Sequence, residues 1–340
     1  MKKFMFGLDK ENAFESAKKL RRHGYDAVVT NEGAREAKSA GLEVWECFGA
    51  FSLDADAPAG HRAVLYDGSD GTWFGSGCPC CDELAGRNMA RALDRAVRDG
   101  AAGLFVDGAR FASFASSEGT ERFLGCFCDR CMAKLRAYGI DADEVREGIR
   151  LFVKLLKEDE TGDIERIRNA IDSMLTFRGR VIGEYMEHFS VACHARGLKS
   201  GAFVFAPSLG WAVGQGLDGI RGIDVISPMV YRAWPANENG PATLSHEWNG
   251  FMKLLGQQDR KPEQLASILF GMGLFNEEPL NGFSVEHVSF EAEASRNIAP
   301  KESLVVPILQ ADDGQLDECA QAALKAGCDG YGEFCWSRKK

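Results

Sequence analysis

Gly103-Leu104-Phe105-Val106-Asp107 is an apolar run of strand length that ends on a carboxylate, and Gly108-Ala109-Arg110 follows it. Just before it, Arg87 to Arg98 sets Met89, Leu93 and Val97 on one helical stripe, and Gly100 stands where that helix should stop. A buried strand fed by an amphipathic helix is the unit of a parallel sheet, because parallel neighbours need a long crossover to return the chain. Outward from this point the same alternation continues. Further apolar runs fall at Lys3–Leu8, Asp26–Thr30, Leu42–Phe48, Lys199–Phe205, Ile223–Tyr231, Ser303–Gln310 and Asp329–Cys335. Ala13 to Arg22 repeats the helical stripe with Phe14, Ala17 and Leu20. The pattern predicts a single (β/α)8 TIM barrel domain over residues 1–340, with a doubly wound sheet as the alternative.

Two connections are long, residues 49–84 after the third strand and 108–198 after the fourth. Both leave the carboxyl ends of strands, the face on which barrels build active sites. Within the second, residues 140–196 read as a helical insertion with Ile149, Phe152, Leu155 and Leu156, then Ile164, Ile167, Ile171 and Leu175, as buried stripes.

The same connections carry clustered cysteines. Cys126, Cys128 and Cys131 occupy six residues, and Cys78, Cys80 and Cys81 lie upstream. Residues two apart share a face in extended chain, Cys131 falls in the first turn of a following helix, and a fourth thiolate would close a tetrahedron around zinc. Free core thiols, a disulfide and an iron–sulfur cluster are the competing readings. A disulfide scaffold fits poorly, since 11 cysteines in 340 residues are sparse and a chain this long buries its own core. An all-sulfur sphere leaves no position open to substrate, so the zinc is expected to be structural.

A composition of 45% hydrophobic and 26% charged residues is that of a globular protein. The net charge of -10 argues against a nucleic-acid partner or an anionic membrane surface. The opening apolar run stops at Asp9 and Lys10, too short for a leader, and no run approaches a membrane span, so a cytoplasmic location is expected. Dinucleotide, Walker, zincin and serine-hydrolase motifs are absent.

Val106-Asp107-Gly108-Ala109-Arg110-Phe111 followed by Cys-x-Cys-x-x-Cys resembles the bacterial hypothetical glycosyl hydrolases of barrel fold, and the cysteine cluster is similar to the zinc site of glycoside hydrolase family 42 β-galactosidases. The likeness continues through Phe205 to Leu209, Val213 to Gln215, Asp224 to Arg232 and Gly332 to Trp336. In both groups a Cys-Pro pair occurs in the preceding loop, so the resemblance makes Cys78 the leading fourth ligand, with Cys80 and Cys81 as rivals. The chain departs from those β-galactosidases in lacking their Asn-Glu pair at the end of the fourth strand, which argues against a galactosidase.

What the resemblance implies is hydrolysis of a carbohydrate, with a non-catalytic carbohydrate-binding barrel and a metal-dependent hydrolase of another substrate as the alternatives. Glycosidic cleavage usually needs two carboxyl groups. Asp107, with Arg110 nearby to keep it ionised, and Glu333, in apolar surroundings suited to a proton donor, lead; Asp312, Asp313 and Glu46 also end predicted strands. Arg110, Tyr231, Arg232, Trp234 and Trp336 are candidate substrate-binding residues, because aromatic faces pack on sugars and arginine donates to hydroxyls. His246 and Glu247 read as a pair capping the next helix.

Overall fold

The computed structural model describes residues 2–9, 11–115, 120–158, 163–232, 244–256, 262–270 and 283–334. Its strands are β1 (Lys2–Phe6), β2 (Ala27–Val29), β3 (Glu43–Gly49), β4 (Gly103–Asp107), β5 (Lys199–Phe205), β6 (Val225–Met229), β7 (Leu304–Val305), β8 (Ile308–Gln310) and β9 (Gly330–Phe334). All pairings among them are parallel, in the order β5-β4-β3-β2-β1-β9-β8-β6, with β7 also on β6. Because β5 also pairs with β6, the two ends meet and the sheet closes. Closure decides for the (β/α)8 barrel against the doubly wound sheet.

The seventh strand, expected as one run from Ser303 to Gln310, is split into β7 and β8 by Val306 and Pro307. Proline has no N–H for the ladder, whereas its carbonyl still accepts from the Gly332 amide at 2.8 Å.

Around the barrel lie α1 (Ala13–Arg22), α2 (Ala34–Ser39), α3 (Asp82–Asp99), α4 (Asp129–Ala137), α5 (Ala142–Glu158), α6 (Ile164–His194), α7 (Pro207–Val213), α8 (Leu244–Leu255), α9 (Pro262–Phe270), α10 (Val285–Ile298) and α11 (Leu316–Lys325). Helices α4, α5 and α6 fill the long connection between β4 and β5. Toward its carboxyl end α6 returns to the barrel wall, where Phe189 meets Phe48 with ring centroids 5.7 Å apart. Among the described residues no helix is long and apolar enough to cross a membrane.

Alternation along the strands sorts side chains between two compartments. Phe4, Phe6, Trp45, Phe105 and Phe203 point into the barrel, while Met5, Val28 and Val44 pack outward beneath α1 and α2. The interior is aromatic, with Phe105 and Phe203 stacked at 4.6 Å. Such bulk fits only because neighbouring strands present glycine: a Cβ on Gly201 would lie 2.7 Å from the Phe105 ring, and one on Gly332 would lie 2.1 Å from the Phe6 ring. Gly201→Ala should therefore cost about 1–3 kcal/mol of stability in urea unfolding through overpacking. An unchanged midpoint would contradict this account of the core.

Candidate functional site

The first cluster is built by backbone contacts between the two long connections. The Cys78 amide donates to the His61 carbonyl at 2.8 Å and the Cys81 amide to the Cys78 carbonyl at 3.0 Å, a tight turn leading into α3. From the other connection the Phe127 amide donates to the Val64 carbonyl at 2.7 Å. Cys128 caps α4 and Cys131 lies in its first turn. These contacts bring the Sγ atoms of Cys78, Cys126, Cys128 and Cys131 within 4.8 Å of one another, with Cys78 3.3 Å from Cys128 and 3.4 Å from Cys131. A tetrahedral zinc with bonds of about 2.3 Å has sulfur edges of about 3.8 Å, so the donor set fits one four-coordinate ion.

Two amides already point at these sulfurs, Val64 toward Cys126 at 3.2 Å and Cys80 toward Cys78 at 3.3 Å. Such donation favours the thiolate form. Hydrogen bonds from Cys126, Cys131 and Cys78 hold the Cys128 thiol well below the ordinary range, while burial and then Cys128 push Cys126 well above it. All four sulfurs at this spacing could ionise together only around a cation. The set could hold a metal ion, and Cys80 and Cys81 fall outside it.

The second cluster lies at the carboxyl ends of the strands. Asp107 ends β4 with its side chain exposed, accepting from the Gly108 amide at 2.7 Å. Arg110 is buried beside it, its guanidinium 4.0 Å from the Trp73 ring and 4.7 Å from the Phe205 ring. Burial lowers Arg110 from the usual guanidinium range, against the fields of Glu247 and Asp107, which favour its charge. Tyr231 is enclosed among the barrel aromatics, with its ring 5.8 Å from that of Phe334. Burial first, and then the Asp107 charge, push its phenol up, so that it stays protonated.

Two carboxylates expected at this mouth are turned away from it. Glu46 alternates with Trp45, which faces the barrel interior, and so it points outward to Arg95 of α3 at 2.6 Å. Burial raises its pKa and Arg95 opposes that rise. Glu333 likewise lies opposite Met5 on the outer face, where it accepts from the Tyr25 hydroxyl at 2.5 Å and pairs with Lys3 at 2.9 Å. Both are held between barrel and helices, away from the mouth where Glu333 was expected as a proton donor and Glu46 as a substrate contact. Arg232 is engaged by Asp313 at 2.6 Å and by Gln315 Oε1 at 2.8 Å, and it donates to the Phe283 carbonyl, so this pair forms a clamp of its own. Asp312 is exposed directly after β8. Trp234 and Trp336 lie outside the described residues.

Glu247, read from sequence as a helix cap, is instead a buried carboxylate inside α8. It accepts from the Ser113 hydroxyl at 2.8 Å and the Ala115 amide at 3.0 Å, anchoring the chain that leaves β4. A signal was present: Glu247 shares a helical stripe with Leu244, Trp248 and Phe251, all buried. Trp73, the platform over Arg110, sits among glycines with no spacing signature.

No protein-family model matches the chain, and no curated protein matches it. Among solved structures the chain is similar to the β-galactosidase from the psychrophilic Marinomonas ef1, with a TM-score of 0.57 and 14% identity over 99% of this chain and 54% of that one. It thus spans about half the length of that protein. The glycoside hydrolase domain of PgaB from Bordetella bronchiseptica matches with a TM-score of 0.47, 14% identity, and coverage of 98% and 93%. D-Psicose 3-epimerase from Clostridium cellulolyticum H10 matches with a TM-score of 0.41, 8% identity, and coverage of 98% and 84%. At such identities the likeness is one of fold.

Burial raises the Glu247 pKa against the Arg110 charge and the Ser113 and backbone hydrogen bonds, which act to lower it. A carboxyl whose folded pKa is raised stabilises the fold fully below the ordinary carboxylate range, and that contribution is lost as pH rises through the folded value. Glu247→Gln should therefore gain stability relative to the parent protein as pH rises across that interval, measured by urea unfolding at several pH values. A pH-independent difference would contradict the burial account.

Proposed function

We propose that this chain is a glycoside hydrolase with a structural zinc, in which Asp107 and Asp312 are the working carboxylates at the barrel mouth. One observation supports the reading most: an exposed Asp107 ends β4 beside the buried Arg110 and the protonated Tyr231. Asp312 follows β8, three strand positions from β4 around the ring, so the two carboxylates stand on well-separated strands of one rim. In this reading one carboxyl protonates the leaving oxygen and the other acts as nucleophile or base across the sugar. Arg110, stacked on Trp73 and Phe205, and Tyr231 orient hydroxyls of the substrate. The zinc, held by Cys78, Cys126, Cys128 and Cys131, supplies a fixed cross-link between the two connections and no chemistry on substrate. The fold-level likeness to a β-galactosidase supports a carbohydrate substrate.

The outward turn of Glu46 and Glu333 leaves fewer carboxylates at the mouth and favours, as a second reading, carbohydrate binding without turnover. A panel of aryl glycosides and oligosaccharides separates the two. Hydrolysis should be detected with at least one member, and Asp107→Asn and Asp312→Asn should each lower it by about 10²–10⁴-fold. Retained turnover in both variants would defeat the carboxylate assignment, and glycan binding without any hydrolysis would establish the second reading.

Zinc also has its own test. X-ray absorption of the purified protein should report four sulfur ligands. Three sulfurs and one oxygen would instead revive a metal-dependent hydrolase.

A further inference from the structure

Arg178 projects from the middle of α6 and is fully buried, with 0% of its surface exposed. Its Nη1 donates to the Ala212 carbonyl at 2.7 Å, and its Nη2 donates to the carbonyls of Phe123 and Gly125. Its Nε has no acceptor. The rings of Phe123 and Phe111 flank the guanidinium at 4.7 and 5.2 Å. Among the described residues no carboxylate forms an ion pair with it, and the groups whose charge, once ionised, would act on it are the sulfurs of Cys126 and Cys131.

A guanidinium sealed from water with only carbonyl acceptors is a costly arrangement, because each buried charge needs a compensating one. The carbonyl that Arg178 grips at Gly125 belongs to the residue just before Cys126. A divalent ion bound by four thiolates carries a net charge of minus two, so loading the sulfurs with metal creates an anion at the place where Arg178 lacks one. Loading also releases the S–H protons to solvent, a step that a nearby fixed cation favours.

We propose that Arg178 is the counter-cation of the four-sulfur metal site: its charge balances the metal–thiolate group, and its grip on Phe123 and Gly125 seats the segment that delivers Cys126. Arg178 is thus a positioning residue, and it rests on the reading of the four sulfurs as a metal site. Coupling of this kind is reciprocal, so metal loading and the ordering of the 123–126 segment support one another.

The test is titration of the metal-stripped protein with Co²⁺ against a chromophoric chelator, following the thiolate-to-cobalt absorption at several pH values. Arg178→Gln keeps a hydrogen-bonding amide without charge, whereas Arg178→Lys keeps the charge with a different donor geometry. Arg178→Gln should weaken Co²⁺ affinity about 10–100-fold and move the loading midpoint to higher pH, while Arg178→Lys should stay within about threefold of the parent protein, in keeping with the size of outer-shell effects at metal sites. Unchanged affinity in Arg178→Gln, or equal losses in both variants, would overturn the proposal. Arg178→Lys alone decides the matter if Arg178→Gln does not fold, because the proposal requires the lysine variant to fold and take up metal. A parent protein that takes up no Co²⁺ defeats the metal reading itself, an outcome distinct from the failure of Arg178.

Discussion

Four sulfur atoms drawn from two separate excursions of the chain into one small volume are the constraint on which the barrel mouth depends. The first excursion carries Trp73 and Cys78, and the second carries Arg110, Phe123 and the remaining three cysteines. Among the described residues neither carries a strand or an α-helix between the strand it leaves and its first cysteine. Isolated antiparallel bridges such as Ser52 with Ser76, the amide contact between Phe127 and Val64, and the side chains of Glu247 and Arg178 tie them locally. A metal in the four-sulfur sphere would convert these weak ties into one rigid cap. The stacking of Arg110 on Trp73 joins a side chain of the second excursion to one of the first, so the cap and the candidate site share their framework.

The barrel below imposes a second constraint through alternation. Within a strand, adjacent residues face opposite compartments, and a single step decides whether a carboxylate meets the interior or the helical layer. Trp45 and Phe334 face inward, so Glu46 and Glu333 are committed outward, where Arg95, Lys3 and Tyr25 receive them. Asp107 escapes this rule because it stands at the strand's end, where the chain leaves the ladder.

Much of the architecture was legible in the sequence for a physical reason. Strands buried on both faces read as continuous apolar runs, and helices reveal themselves by their stripes, so alternation gave the parallel α/β pattern, while the pairing of β5 with β6 decides its closure into a barrel. The double burial that makes such strands visible also conceals their parity. Nothing in Trp45-Glu46-Cys47 or in Gly332-Glu333-Phe334 says which face is inside until the partner strands are known. The triplet Cys126, Cys128 and Cys131 was readable because metal geometry imposes a spacing, while Cys78 came from the resemblance; Glu247 and Arg178 act through long-range contacts with residues more than fifty positions away. The break at Pro307 was readable too, since proline cannot feed a ladder, but the apolar run around it carried the expectation of one strand.

Metal bound by the four sulfurs would lock the two excursions over the mouth while leaving the barrel itself unchanged. Hydrogen–deuterium exchange on the metal-stripped protein and on the protein loaded with Zn²⁺ measures this directly. Removal should speed exchange together at the amides of Val64, Cys80 and Phe127, with the amides of β4 and β5 keeping their protection. Equal protection of the two excursions in both states would contradict the account.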